Sequence, residues 1–267
     1  MGFLKTSRLE VFVEERGQGE AVLYISGTGA DLRARPNVLD GVLPELFRVI
    51  AYDQRGLGQT EKPLGSYSMI DYAEDAISLL DRLDILKINV VGVSFGGMVA
   101  QHLAARFPER VKKLVLCCTS PGGNFSSYPF HRLPREDSAL ERGIRLIEIS
   151  DVRHSQAWQK ENPDLVKKMI GIMKSRLIED HESPGYKRGY HEQLNARARH
   201  DVVDQLGLIR AETLICSGRY DGIAPISNQK VLEEGISGSR HKIYEGGHLF
   251  MIQDPAAWQD IVEFLST

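Results

Sequence analysis

The 267-residue chain has only three cysteines, Cys117, Cys118 and Cys216. None stands at metal-ligand spacing, and three thiols in apolar, strand-like runs make no disulfide framework, so they read as reduced core residues. Aromatic residues are sparse at 7%. No apolar run reaches the length that spans a bilayer. The first residues, Met1 to Arg8, hold no stretch of signal-peptide length, so a cytoplasmic protein is the default expectation and the sequon Asn124-Phe125-Ser126 reads as accidental. A basic excess is missing too, with 33 Lys and Arg against 36 Asp and Glu for a net charge of −3. Nucleic acid and acidic membranes therefore find no electrostatic hold. His191-Glu192 lacks a second histidine at metal-binding spacing, and His200-Asp201 reads as a local hydrogen-bonding pair. Gly56-Leu57-Gly58 lacks the third glycine and the helix-opening context of a dinucleotide fingerprint. No metal and no cofactor are expected, and there are no internal repeats or low-complexity linkers.

What is present is an alternation of strand and helix signals on a chain that is 42% hydrophobic, enough for a sizeable core. Strand patterns cover Leu9 to Glu14, Ala21 to Ile25, Phe47 to Tyr52, Ile88 to Val93, Lys113 to Cys118, Glu212 to Ser217 and His241 to Glu245. Helical spacing runs from Tyr72 to Leu83 behind the near capping box Ser68-Met-Ile-Asp71, from Gly97 to Phe107, and around Gln229 to Glu234. Asp254-Pro255 opens the amphipathic stretch Ala256 to Leu265. This order predicts an α/β fold, a mostly parallel central sheet with helices on both faces. Between Pro121 and His200 the strand signal disappears, which predicts residues 1–120 and 201–267 as the core and 121–200 as an inserted helical cap.

The pattern centres on Gly92-Val93-Ser94-Phe95-Gly96-Gly97, which follows an apolar strand and precedes an apolar helix. A serine at such a turn is held in a strained backbone conformation, and side chains two positions to either side would collide with strand and helix. Glycines occupy both places. The Phe95 amide then lies at a helix N-terminus, where it can face negative charge developing beside the Ser94 oxygen. An isolated serine hydroxyl is a poor nucleophile and needs a base, which in turn needs an orienting partner. Asp221 and His248 each follow a late strand, and the C-terminal ends of parallel strands share one edge of a sheet.

In the residues Gly92 to Gly96, Asp221 and His248, and in their order, the chain resembles the capped α/β-hydrolases, a family that includes esterases, enol-lactonases and carbon–carbon bond hydrolases. The resemblance extends over nearly the whole chain. It implies a Ser94, His248, Asp221 triad and carries the second oxyanion amide over to Thr28, in the loop Ser26-Gly27-Thr28-Gly29. Asp53-Gln54-Arg55-Gly56-Leu57-Gly58 resembles a turn to which a structural role is assigned. Many relatives have His-Gly where this chain has Ser26-Gly27, a departure that bears on loop rigidity more than on chemistry. The expected activity is hydrolysis of a small-molecule carboxylic ester or lactone. Cleavage of a vinylogous diketone and a non-catalytic ligand receptor on the same scaffold are the alternatives.

The expected cap holds 14 Lys and Arg against 11 Asp and Glu, while the rest of the chain is acidic. Phe125, Tyr128, Phe130 and Trp158, with Leu249 beside His248, are candidates for a substrate pocket. Met169 and Met173 belong to the same group, although such residues at helical spacing are more often core. The oligomeric state is not legible.

Overall fold

The computed structural model describes residues 2–133 and 139–267. Its sheet has the strand order β1-β2-β4-β3-β5-β6-β7-β8 among the described residues. The strands are β1 (Phe3–Lys5), β2 (Glu10–Arg16), β3 (Ala21–Ile25), β4 (Arg48–Tyr52), β5 (Ile88–Val93), β6 (Val111–Cys117), β7 (Glu212–Gly218) and β8 (Arg240–Tyr244). β1 and β2 are antiparallel to their neighbours, and every other pairing is parallel. The expected mostly parallel sheet is therefore present, and β1 is an addition. Three residues with no alternation to speak of leave no periodic signal, and β1 is defined by its pairing of Phe3 with Phe12.

Helices cover both faces. On one side α2 (Met69–Arg82), α3 (Phe95–Arg106) and α8 (Ile226–Gly235) bury Leu79, Leu80, Leu103 and Leu232 against the sheet. On the other, α1 (Leu43–Leu46), α9 (Phe250–Gln253) and α10 (Ala256–Ser266) bury Leu43, Phe250 and Ile261. The start of α2 is a capping box, with the Ser68 hydroxyl accepting from Asp71 N and the Asp71 carboxylate accepting from Ser68 N. Ahead of α10 the Asp254 carboxylate accepts from Ala256 N at 3.0 Å. Central β5 is buried on both faces, as a covered parallel strand must be. Strand order reverses at β3, with β4 on one side and β5 on the other, and a crevice opens at the carboxyl ends of strands at such a point.

Between β6 and β7 the described residues form α4 (Ala139–Ser150), α5 (Gln156–Glu161), α6 (Pro163–Ser175) and α7 (Pro184–Ala198). Pro121 O accepts from Val202 N and His200 O from Gly123 N, so the outgoing and returning chains pair at one neck. We refer to 121–200 as the cap; its residues 134–138 lie outside the described residues.

Under that neck a buried histidine pair joins α3 to the returning chain. His102 Nε2 lies 3.1 Å from His200 Nδ1, and His200 Nε2 lies 3.0 Å from Ser120 O. Burial pulls His102 down to about 4 and His200 down to about 3. Unfolded, both rings charge below about pH 6.5, so stability falls as pH drops through that value, by about 1.4 kcal/mol per pH unit for each ring. Asp53 acts in the opposite sense, because burial pushes its carboxyl up to about 6 against two backbone N–H donors, Gln59 and Leu32. Its penalty is relieved as the folded state takes up a proton below that pH. For these three groups, two losses against one gain leave a net loss of about 1.4 kcal/mol per pH unit between pH 6 and 4, and His131, lowered by burial, and the carboxylates held below their usual range add losses of the same sign. Urea unfolding at half-unit intervals should record at least that slope, and His102→Asn should flatten it; an unchanged slope in the variant would exclude the pair as its source.

Candidate active site

Ser94 is the single residue between β5 and α3, at φ 55° and ψ −114°, a region that non-glycine residues occupy only under constraint. The constraint is visible in the glycines. A Cβ on Gly92 would lie 2.6 Å from Gly96 O and 2.8 Å from the Ala100 Cβ, and one on Gly96 would overlap the Ile25 carbonyl. The turn is held from behind by the Thr119 hydroxyl, which donates to Ser94 O, and by Ser94 N, which donates to Cys117 O, both at 2.8 Å.

β7 and β8 bring the other two candidates to the same edge. His248 Nε2 lies 3.0 Å from Ser94 Oγ, and His248 Nδ1 lies 2.8 Å from Asp221 Oδ2. An ionised carboxylate only accepts, so Nδ1 carries the ring proton and Nε2 is left to accept from the serine hydroxyl. Asp221 is buried, and its second oxygen accepts from Ile223 N at 2.8 Å and Ala224 N at 2.9 Å. These two bonds fix the carboxylate plane and keep one face for the imidazole.

The loop after β3 lies alongside. A Cβ on Gly27 would stand 3.5 Å from the Ser94 Cβ, and Ala30 N closes a turn onto Gly27 O. With Ser26 in place of histidine, the loop is braced by other groups. Gln54 Nε2 donates to Ser26 O at 2.8 Å, and Asp53 accepts from Leu32 N and Gln59 N. Arg55 of the same turn is locked to buried Asp75 through two hydrogen bonds. The segment Asp53 to Gly58 thus ties β4 to the loop beside Ser94.

The cap reaches each loop of the site. Ser150 O accepts from His248 N, Val152 N donates to Tyr220 O beside Asp221, and Gln193 Oε1 accepts from Gly29 N at 2.9 Å. Asp31, on the same loop as Gly29, is held by Arg33 and by His181 Nε2 at 3.1 Å, and this hydrogen bonding to its charged form keeps its carboxyl below the usual range despite burial. Neither Gln193 nor His181 stands in a motif, and only the fold reveals them.

A cavity of about 380 Å³ opens on this loop, lined by Thr28, Asn37, Arg176, His181 and Leu249 among others. Leu249, the residue after His248, is among those lining it. The four aromatic candidates are not among its lining residues. Phe125 sits in the turn that begins at Gly122, Tyr128 packs on Phe130, whose ring carries the Arg197 guanidinium at 4.3 Å, and Trp158 lies tilted against His154 with ring centroids 4.2 Å apart. Tyr128, Phe130 and Trp158 thus pack on partners within or beside the cap, while Phe125 stays exposed. Met173 lines a separate space of about 240 Å³ between α4 and α6.

The profile of the family described as alpha/beta hydrolase fold matches residues 20–255. A 2-hydroxymuconate semialdehyde hydrolase from a Pseudomonas species is 30% identical over 95% of this chain and 89% of its own length. A 3-oxoadipate enol-lactonase 2 from Acinetobacter baylyi is 28% identical over 81% of this chain and 78% of its own length. The solved structure of an enol-lactonase from Burkholderia xenovorans, 22% identical, superposes with a TM-score of 0.79 over 99% of this chain and all of that one.

Proposed function

Because the chain belongs to the α/β-hydrolase family, a family of hydrolases, we propose that it cleaves a small carboxylic ester or lactone through an acyl-enzyme on Ser94. The observation that carries this reading is the unbroken relay from Ser94 Oγ through His248 to Asp221, at 3.0 and 2.8 Å. His248 Nε2 takes the hydroxyl proton as Ser94 Oγ bonds to the carbonyl carbon, and the amides of Thr28 and Phe95 hold the oxyanion. Collapse breaks the acyl–oxygen bond, and the imidazolium returns its proton to the leaving oxygen. Water, deprotonated by His248, then attacks the acyl carbon; the bond to Ser94 Oγ breaks, the imidazolium returns the proton to that oxygen, and the acid is released.

Similarity to the 28% identical enol-lactonase supports lactone or ester cleavage, and similarity to the semialdehyde hydrolase favours a second reading, hydrolysis of an activated carbon–carbon bond by the same three residues. A screen of purified protein against esters, lactones and vinylogous diketones separates the two. Turnover of esters or lactones at least about a hundredfold above diketones is the expected result. The reverse ranking would replace the first reading by the second, and no turnover of any of them would remove both.

The cavity also suggests which esters. Its acidic lining residue, Asp31, is already paired with the Arg33 guanidinium at 2.7 Å, whereas the Arg176 guanidinium in the same lining donates to Pro36 O, a backbone carbonyl that leaves its charge uncompensated by that contact. A substrate bearing a carboxylate should therefore be preferred over its methyl ester, by about tenfold in kcat/KM at low ionic strength, with the advantage shrinking as salt is raised. Measuring a matched pair at two salt concentrations checks this. A methyl ester that wins at both would leave Arg176 as solvated surface.

A further inference from the structure

Gly29 is held at both of its backbone polar groups by one helix of the cap. Its N–H donates to Gln193 Oε1 at 2.9 Å, and its carbonyl accepts from the Tyr186 hydroxyl at 3.2 Å. Gln193 and Tyr186 are both on α7. Tyr190 of the same helix packs so closely that a Cβ on Gly29 would stand 3.0 Å from its ring. Gly29 has φ +69° and is the third residue of the turn from Gly27 to Ala30. The central peptide of that turn joins Thr28 to Gly29, and its N–H is the one that Gln193 holds. A turn with glycine in this place flips its central peptide at little cost, because glycine adopts either sign of φ. Such a flip changes ψ at Thr28 and φ at Gly29 and breaks the bond from the Gly29 N–H to α7, while the Thr28 N–H, which belongs to the preceding peptide, moves only as the loop shifts once that tether is lost.

The glutamine is an expensive way to fill its position. It is fully buried, its acceptor is used, and its Nε2 has no hydrogen-bond partner among the described residues. The amide orientation is fixed by the bond itself, since an N–H donor requires the carbonyl oxygen opposite it. Leaving a buried donor orphaned is destabilising, and a methionine of similar shape would avoid that cost. What only a polar side chain supplies here is the acceptor for Gly29.

We propose that Gln193 is a positioning residue for the oxyanion hole: the cap delivers its side-chain carbonyl to the Thr28–Gly29 peptide, the neighbour of the peptide that carries the Thr28 N–H, and so pins the loop that presents that amide beside Ser94. The inference rests on the acyl-enzyme reading of Ser94. It makes the cap part of the apparatus that stabilises charge in the transition state, acting through the loop without touching substrate.

The test compares wild type, Gln193→Met and Tyr186→Phe, each checked for folding by circular dichroism. The readouts are kcat and KM on an ester that wild type turns over, and inhibition by an alkyl boronic acid, which adds to Ser94 Oγ as a tetrahedral anion. Removing an oxyanion donor outright costs about 10² to 10³ in kcat, so loosening one should cost Gln193→Met about ten- to a hundredfold in kcat. KM should stay within about threefold, and boronate affinity should weaken by the same factor as kcat. Tyr186→Phe should show the same split at smaller size. If Gln193→Met does not fold, the Tyr186→Phe split decides. A folded Gln193→Met with kcat within twofold of wild type overturns the inference, as does a loss of kcat with boronate binding intact. A wild type that hydrolyses nothing and binds no boronate overturns the acyl-enzyme reading itself, and the inference with it.

Discussion

Ser94→Ala should lower kcat for ester hydrolysis by about 10⁶ while the protein remains folded. The size follows from what is left behind. Without Oγ there is no bond to the acyl carbon, and His248 has no hydroxyl to deprotonate. On the proposed mechanism only binding and the amides of Thr28 and Phe95 remain to act on an attack by water, so a residual acceleration of about 10³ to 10⁴ over the uncatalysed reaction is expected. The backbone at Ser94 is already accommodated by its surroundings, with Thr119 and Cys117 bonding to its main chain and not to its side chain. Alanine removes one atom and leaves those bonds in place, so the melting temperature should move by no more than a few degrees. The measurement is steady-state hydrolysis by wild type and variant, together with acyl-enzyme accumulation by mass spectrometry. A variant within tenfold of wild type would remove Ser94 from the chemistry.

The position of Ser94 could be foreseen because its requirements are local. The glycines on either side are needed within two residues, and the structure gives the reason atom by atom, in the close approach of Gly96 to the Ile25 carbonyl and of Gly92 to Gly96 O. The same holds for the Ser68 capping box and for the strand ends at Asp221 and His248, where chain order and a parallel sheet leave little freedom. The bond from Gln193 to Gly29 spans 164 residues and has no local counterpart. Nothing in the spacing of α7 distinguishes Gln193 from a solvated glutamine until the helix is laid over the loop.

The pocket illustrates a different limit. Aromatic residues in the cap suggested an apolar lining, but Trp158, Tyr128 and Phe130 find aromatic or cationic partners instead, and the cavity beside Thr28 is bounded by residues as ordinary in sequence as Asn37 and Arg176. Burial of an aromatic ring is predictable from its surface; which other surface buries it is a property of packing.

Asp221→Asn should slow hydrolysis by about 10⁴ with the fold intact, and the hydrogen bonds around the carboxylate give the reason. Oδ1 accepts from two backbone N–H groups, those of Ile223 and Ala224, and only an oxygen can take that place. In the asparagine variant the amide oxygen must remain there, which turns its NH₂ toward His248 Nδ1. A donor opposite Nδ1 forces that nitrogen to accept, so the ring proton moves to Nε2, the atom that has to accept from Ser94 Oγ. The base is then in the wrong tautomer, and the imidazolium that forms in the transition state loses its carboxylate. Because the backbone bonds survive, the variant should melt within a few degrees of wild type, unlike Asp221→Ala, which leaves two buried N–H groups without an acceptor and should cost about 2 kcal/mol or more of stability. Steady-state kinetics with thermal unfolding on both variants tests the argument. An asparagine variant within tenfold of wild type would mean that Asp221 does not orient His248, and that the 2.8 Å contact between them is structural alone.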